Sequence, residues 1–597
     1  MRFVSHLVLA VLIASSSSVL SAKDLVPERS SVGRSIEEFQ LQDFRGRHVS
    51  LDDFSDKRAV VIGFLGTDCP LAKFYGPRLQ LLSEGYQARD VAFIGINPNR
   101  QDSLAEMEAY ARRHKITFPM LKDPGSKIAD RLGATRAPEV FVLDAQQVVR
   151  YQGRVDGTFT FGSGVGLAKP QEGRADLATA IDELLNEKPV SVPYTEPKGC
   201  LIGRARQAQE HPTVTYGKEI SRIIQNNCLE CHRNGQVAPF ALDNYEEVAG
   251  WGEMIAEVVR EQRMPPWHGV GPRGRMKNDA RLSDEEKQLI QRWVDEGCPQ
   301  GDLANLPEER KFHEGWFTDG GPDDVFYISE QPVSVKAEGV EEYRYYEIDL
   351  GFKEDKWVSL AECMPGNRAV VHHIIAYARP PGGDPIPPGS TGIDSSEYKF
   401  LVGFAPGTRP LPAPEGWARL LPADHSLVVE MHYTPIGTKQ MDRSCIGLVY
   451  TDPKDVTHVI RTQAASNHEF EIPPKTANYR VESDHRFKRD TVVLSLFPHM
   501  HLRGKSFRFE LVSAGGNRET LLDVPHYDFN WQNYYVFAEP RTIAKGSKLE
   551  CTAYFDNSDE NLANPDPSRK IRWGPQSWDE MMIGFFDIGI PKEEFRR

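Results

Sequence analysis

Cys228-Leu229-Glu230-Cys231-His232 sets two cysteines three positions apart with a histidine beside the second. In an exported chain this C-x-x-C-H spacing is the attachment site of a c-type haem. Two cysteines on one face of a helical turn bond covalently to the haem vinyl groups, and His232 becomes the proximal iron ligand. A zinc knuckle or a redox dithiol also uses C-x-x-C. Here no second C-x-x-C or paired histidines follow at zinc-finger spacing, and the motif sits in a polar, helical context, not after an apolar strand. One covalently bound haem c is therefore expected on Cys228, Cys231 and His232.

A second group of candidates lies in apolar, strand-like surroundings: Val370-Val371-His372-His373-Ile374-Ile375, Val428-Val429-Glu430-Met431-His432-Tyr433 and Leu496-Phe497-Pro498-His499-Met500-His501. His499 and His501, two apart, point to one face of a strand and can share a metal. His372 and His373 are adjacent and diverge on a regular strand, so one ion can take both only through a bulge or through different ring nitrogens. Gly269-Val270-Gly271-Pro272-Arg273-Gly274 matches G-x-G-x-x-G but neither follows a strand nor opens a helix, which makes it a loop and not a dinucleotide site.

These residues need elements to position them. Met1-Arg2, an apolar segment from Leu7 to Ile13, a serine run and small residues ending near Ala22 read as a secretory signal peptide over residues 1–22. A periplasmic or secreted mature chain is expected, without stable membrane insertion, because the apolar core is too short for a membrane span. An uncleaved anchor is the alternative. With 597 residues several domains are expected, and the net charge of −14 without a Lys/Arg run argues against a nucleic-acid partner. Two of the 8 cysteines belong to the haem motif, leaving six in a compartment where disulfides are allowed.

Residues 31–190 alternate strand and helix signals, predicting an α/β domain with a mixed sheet. Its core strands are Ala59 to Leu65, Val91 to Ile96 and the run after Pro138, with Cys69 at the start of the helix containing Leu71, Tyr75, Leu79 and Leu82. A linker is expected over 191–212. An all-α unit follows over 213–302, with a helix leading into the haem motif, another over Tyr245 to Arg263 and a capped one opening at Ser283. After a second linker over 303–324, short alternating strands split by Gly/Pro/Asn/Asp turns predict two all-β sandwich domains over 325–454 and 455–597.

Thr67-Asp68-Cys69-Pro70 after the first core strand, with Ala137-Pro138 ahead of a later one, resembles the thioredoxin-like fold of the redoxin and peroxiredoxin group over most of residues 31–190. The resemblance implies a low-pKa thiol at Cys69 and a cis proline packed beside it. Ala72 stands where a dithiol thioredoxin has its second cysteine, so the local redox couple is absent. A one-cysteine peroxidase-like site, a disulfide from Cys69 to Cys200 and a retired active site kept as a scaffold all stay open. The helical unit is similar to small class I cytochrome c domains. There the distal ligand is a methionine before the last helix, a place that Met264 occupies in Arg263-Met264-Pro265-Pro266-Trp267-His268. His268 is the competing ligand.

The order His-His, His-Tyr, His-x-His-Leu-x-Gly-Lys and Asp579-Glu580-Met581 resembles the copper type II monooxygenases typified by peptidylglycine α-hydroxylating monooxygenase and dopamine β-monooxygenase, over residues 325–597 as two jelly-roll-like domains. That resemblance implies two copper ions. His372, His373 and His432 would hold an electron-transfer copper, while His499, His501 and Met581 would hold the copper that meets O2. The family has a cysteine after Asp-Glu-Met where this chain has Met582, which leaves Met581 and Met582 in competition and Cys551 without the partner the resemblance would give it. Cys445 matches a family cysteine, with Cys298 and Cys363 both candidate partners. The implied reaction inserts one oxygen atom of O2 into a C–H bond of a small-molecule or peptide substrate, with two electrons from an external donor reaching the copper through the haem. Two other readings compete: a non-catalytic electron carrier or copper-binding protein, and a thiol peroxidase with accessory domains, which would depend on Cys69.

Overall fold

The computed structural model describes residues 27–596, except positions 29, 162–165, 169–173, 235, 237, 313–314, 319, 338–340, 387–397, 406–407, 409, 411, 437 and 562. The expected signal peptide lies outside the described residues. Among these, no helix is long and apolar enough to cross a membrane.

Ala59–Phe64 is apolar and buried at every position, as a strand covered on both faces must be. It pairs in parallel with Val91–Asn97 and antiparallel with Glu139–Asp144, at the centre of a seven-stranded mixed sheet. Helix Pro70–Tyr86 starts directly after Cys69 with a proline in its first turn, where the missing N–H costs nothing. Leu104–Arg113 is closed by a reciprocal capping box between Ser103 and Glu106. The proline expected ahead of a later strand separates Arg136–Ala137 from Glu139–Asp144, and the Ala137-Pro138 peptide is cis.

Residues 191–212 are not a free tether. Cys200–Leu201 forms a short strand antiparallel to Arg136–Ala137, and the Gly203 N–H donates to Asn99 Oδ1 at 3.0 Å. A two-residue strand carries no periodicity, which hid it in the proline-rich sequence.

The helical unit contains Ser221–Asn227, Tyr245–Gly250, Gly252–Arg260 and Asp284–Asp295. The single helix expected from Tyr245 to Arg263 is broken at Trp251, whose indole stacks on Phe240 at 4.1 Å between ring centres. Val248, Trp251, Ile255 and Val259 are all buried as their spacing predicts, in one continuous core shared with Cys69, Leu71 and Tyr75 of the first domain. The first domain and the helical unit are thus packed on each other.

The remainder is β-rich. An eight-stranded sheet runs through both halves, joined where Trp417–Leu421 pairs in parallel with His458–Ser466. A four-stranded sheet carrying Val371–Arg379 and Ser426–Tyr433 belongs to the N-terminal half, and another carrying Gly504–Val512 and Lys548–Phe555 to the C-terminal half. At the junction the Trp417 ring fills the space a side chain at Gly589 would need, since a Cβ there would lie 1.7 Å from it. Gly589→Ala is therefore expected to cost about 1–3 kcal/mol of stability by displacing Trp417, read as a lowered thermal midpoint; an unchanged midpoint would contradict this packing.

The segment 303–324 is not a free tether either: Gln225 Nε2 of the helical unit donates to Glu308 O at 2.9 Å, and the Phe317 N–H donates to Glu362 Oε2 of the β module at 3.0 Å. The segment after Met264 makes a second joint between the helical unit and the β module. Trp267 enters the C-terminal β core against Tyr535, Asn533 Nδ2 donates to Pro266 O at 2.7 Å, and Asn278 Nδ2 donates to Tyr534 O at 2.7 Å. The G-x-G-x-x-G stretch lies in this docked loop, with Val270 bridged to Asp523.

Candidate functional site

His372 and His373 meet on the strand Val371–Arg379 through a bulge. Val371 pairs with Tyr433 and His373 with His432, so His372 is the extra residue that lets neighbours face one point. One ring nitrogen from each of His372, His373 and His432 lies within 4.8 Å of the others, the one such cluster among the described residues. His373 is fixed by a buried carboxylate, with Nε2 3.3 Å from Glu430 Oε1, while its Nδ1 stands 3.3 Å from Nδ1 of His372. His372 Nε2 and His432 Nδ1 are buried without a hydrogen-bond partner. A soft or borderline cation answers such unpartnered imidazole nitrogens, and copper and zinc both accept three imidazoles.

His499 ends the strand Thr491–His499 and His501 follows it, with ring centres 5.2 Å apart; Met500 between them turns into the core. Gln532 Oε1 lies 2.6 Å from His499 Nδ1 and sets the ring's orientation, and His501 Nδ1 is buried without a partner. Met581 lines a cavity of about 60 Å³ with His499, His501, His373, Tyr343 and Phe529, whereas Met582 packs into the C-terminal core. A thioether beside two imidazoles suits Cu(I). Phe529 joins the two groups: its ring is 5.2 Å from His372 and 5.7 Å from His501. The turn bearing His501 hangs on Glu580, whose carboxylate accepts from the N–H of His501 at 2.9 Å and of Arg503 at 2.6 Å. Burial pushes Glu580 up to about 8 against the pull of Arg503 and these amides.

In the helical unit Cys228 and Cys231 share one turn, with the Cys231 and His232 N–H groups both donating to Cys228 O. His232 Nδ1 lies 3.1 Å from Phe240 O, so Nε2 is the nitrogen that would take a haem iron, and burial takes His232 down to about 4 against the pull of that carbonyl. This donor set fits a covalently held haem. Met264 is half-buried beyond helix Gly252–Arg260, with its N–H donating to Val258 O at 3.2 Å. His268 sits elsewhere, facing Asp528 and His526 of the β module, carried there by the docking of Pro266 and Trp267.

Cys69 is fully buried at the start of its helix. Burial raises its thiol, but hydrogen bonds from the Cys200 thiol and from the Ala72 and Leu71 amides outweigh this and leave it lowered. Of the other thiols, Cys298 lies in the helical-unit core, remote from Cys445 in the β module. Cys363 opposes Ile446 and Met364 opposes Cys445, so Cys363 and Cys445 point to opposite faces of their sheet.

The histidines were legible in the sequence; Glu430, Gln532, Tyr343 and Phe529 were not assigned roles. Glu430 had a signal, being a carboxylate in an apolar strand two positions before His432 and hence on its face. The others are brought in by distant segments.

Residues 32–152 match the AhpC/TSA family and form a thioredoxin-like redoxin domain. Similar curated proteins include the thiol-disulfide oxidoreductase ResA of Geobacillus thermodenitrificans, 28% identical over 120 residues, covering 20% of this chain and 67% of that protein. Peroxiredoxin Q of Triticum aestivum is 28% identical over 120 residues, covering 19% of this chain and 54% of that protein. A solved structure of a hypothetical protein from Sinorhizobium meliloti 1021 is 27% identical, covers 29% of this chain and 93% of its own, and has a TM-score of 0.26. The chain spans about two thirds of the length of the ResA relatives and about half of the peroxiredoxin.

Burial holds His372 to about 3 and His373 and His499 to about 4, below an ordinary 6.5. Between pH 6.5 and 4 the unfolded chain binds protons that the metal-free fold refuses, so stability falls as pH falls through that window. At about 1.4 kcal/mol per unit, His373 and His499 each contribute at most about 3 kcal/mol and His372 at most about 5. Metal-free protein is expected to lose thermal midpoint steeply from pH 6.5 to 4 at fixed ionic strength, and a flat profile would contradict neutral, buried imidazoles.

Proposed function

We propose that this chain is an extracytoplasmic oxidoreductase whose β module is a copper-dependent monooxygenase supplied with electrons through a c-type haem in the helical unit. The observation that carries the reading is the convergence of two separate ligand sets on one cleft: His372, His373 and His432 within 4.8 Å, and His499, His501 and Met581 lining the adjoining cavity. Copper, when bound, supplies one-electron transfer and activation of O2. The chain's own residues do the rest. Glu430 and Gln532 hold ring orientations, Glu580 holds the turn, and Phe529 and Tyr343 keep the cleft apolar beside the histidines. The balance is one C–H bond, one O2, two electrons and two protons to one C–OH and one water.

A donor within the chain is favoured because the segment after Met264 docks on the stretch that carries Phe529 and Gln532. In this reading Cys228 and Cys231 tether the haem, with His232 and Met264 as its axial ligands. The N-terminal redoxin domain adds a thiol centred on Cys69, in keeping with the thiol-disulfide oxidoreductase and peroxiredoxin names of its relatives.

The test is metal analysis of copper-reconstituted full chain followed by anaerobic stopped-flow. Two copper ions per chain are expected, with oxidation of the reduced haem accompanying reduction of Cu(II) at a rate independent of protein concentration. One copper per chain, or a rate that rises with protein concentration, would overturn the reading.

A further inference from the structure

Cys69 of the redoxin domain and Cys200 of the connecting segment meet over one peptide. The register of the short strand pair sets Cys200 opposite Ala137, and Cys69 Sγ lies 2.9 Å from Ala137 O. The two thiols are within hydrogen-bonding reach of each other and both are buried, Cys69 at 0% exposure and Cys200 at 4%. Close approach depends on Gly199, where a Cβ would stand 2.3 Å from Ala137 O. Arg136 Nη1 donates to Gly199 O at 2.9 Å and clamps the same segment. Arg136 also pairs with Glu257 on helix Gly252–Arg260 at 2.8 Å, and Arg263 pairs with Glu257 at 2.7 Å. The two sulfurs therefore sit at the joint between the redoxin domain and the helical unit.

We propose that Cys69 and Cys200 form a reversible dithiol–disulfide site which, when oxidised, covalently fastens the redoxin domain to the segment leading into the helical unit. It replaces the local couple that Ala72 removes with a distant one supplied by the connection. Cys69 is the attacking sulfur, since it caps the N-terminus of helix Pro70–Tyr86, whose free amides favour a thiolate once it gives up the S–H that it donates to Ala137 O. The oxidant is a small-molecule disulfide. A folded protein's disulfide does not reach sulfurs buried at 0% and 4% exposure beneath Cys200–Leu201, whereas a two-residue strand opens easily enough to admit a small reagent. Cys69 thiolate attacks the reagent, its S–S bond breaks and one thiolate leaves. Cys200 sulfur then attacks Cys69 sulfur, a second thiolate leaves, and the Cys200 proton passes to it. Two protein thiols are oxidised and one small disulfide is reduced to two thiols.

The inference rests on Cys69 being a redox-active thiol and is independent of copper. Full chain is equilibrated in glutathione buffers from reduced to oxidised, quenched in acid, alkylated, digested without reductant and mapped by mass spectrometry. A cross-linked peptide joining Cys69 to Cys200 is expected, forming in one two-electron step and reversing in reduced glutathione. In Cys200→Ser, Cys69 is expected to stop as a glutathione adduct. A lasting glutathione adduct on Cys69 of the unaltered chain would overturn the pairing while leaving a reactive thiol. Both cysteines still alkylated in oxidised buffer would overturn the pairing and the thiol reading together.

Discussion

His432→Ala is expected to weaken copper at the three-histidine position by more than about 100-fold, because loss even of an outer partner of a metal-bound histidine costs about 10–100-fold. His432 stands directly across the strand pair from His373, and its buried Nδ1 has no other partner. Without it, only the two imidazoles brought together by the bulge remain. Glu430→Gln should fall in the 10–100-fold range itself, since the neutral amide still reaches His373 Nε2 but no longer supports the ring as a carboxylate does. Competition with a Cu(I) chelator measures both. Turnover should fall with the His432 site while the ion beside His499 stays bound; unchanged chelator competition in His432→Ala would remove that residue from the ligand set.

Glu580→Ala is expected to cost about 2–6 kcal/mol, because it leaves two buried amide donors unsatisfied at about 1–3 kcal/mol each. The carboxylate is fully buried, faces Arg503 and accepts from the His501 and Arg503 amides. Its loss frees the turn bearing His501, so the ion shared with His499 and Met581 should go too. Glu580→Gln keeps the volume and one acceptor but turns an NH2 toward an amide N–H, for an intermediate loss of about 1–3 kcal/mol. Chemical denaturation reads the stability and metal analysis the ion; an alanine variant that keeps both would show that Glu580 does not hold the turn.

What the sequence disclosed follows from the range of the interactions involved. The bulge at His372 was foreshadowed because adjacency conflicts with a two-residue strand period, and the pair Trp417–Leu421 with His458–Ser466 was not, because parallel pairing between distant strands leaves no local pattern. Met581 and Met582 are chemically alike, so only folding separates the one at the cavity from the one in the core. The Pro265-Pro266 break was visible, yet it reads equally as a ligand loop and as the docking segment that turns His268 toward Asp528. The break at Trp251 was hidden by a helical spacing that continues on both sides of it. The redoxin domain was the most legible part, since its core strands are continuous apolar runs with a proline and a cysteine at fixed places between them.

Isotope labelling is the most direct test of the oxygen insertion proposed for the copper cleft. Copper-reconstituted full chain, supplied with reductant and 18O2, is incubated with a pool of extracellular small molecules and peptides, and products and water are examined by mass spectrometry. One 18O atom is expected in a hydroxylated product and one in water, with both lost in His499→Ala. Label found only in water or peroxide at full copper loading, or label retained in product by His499→Ala, would contradict it.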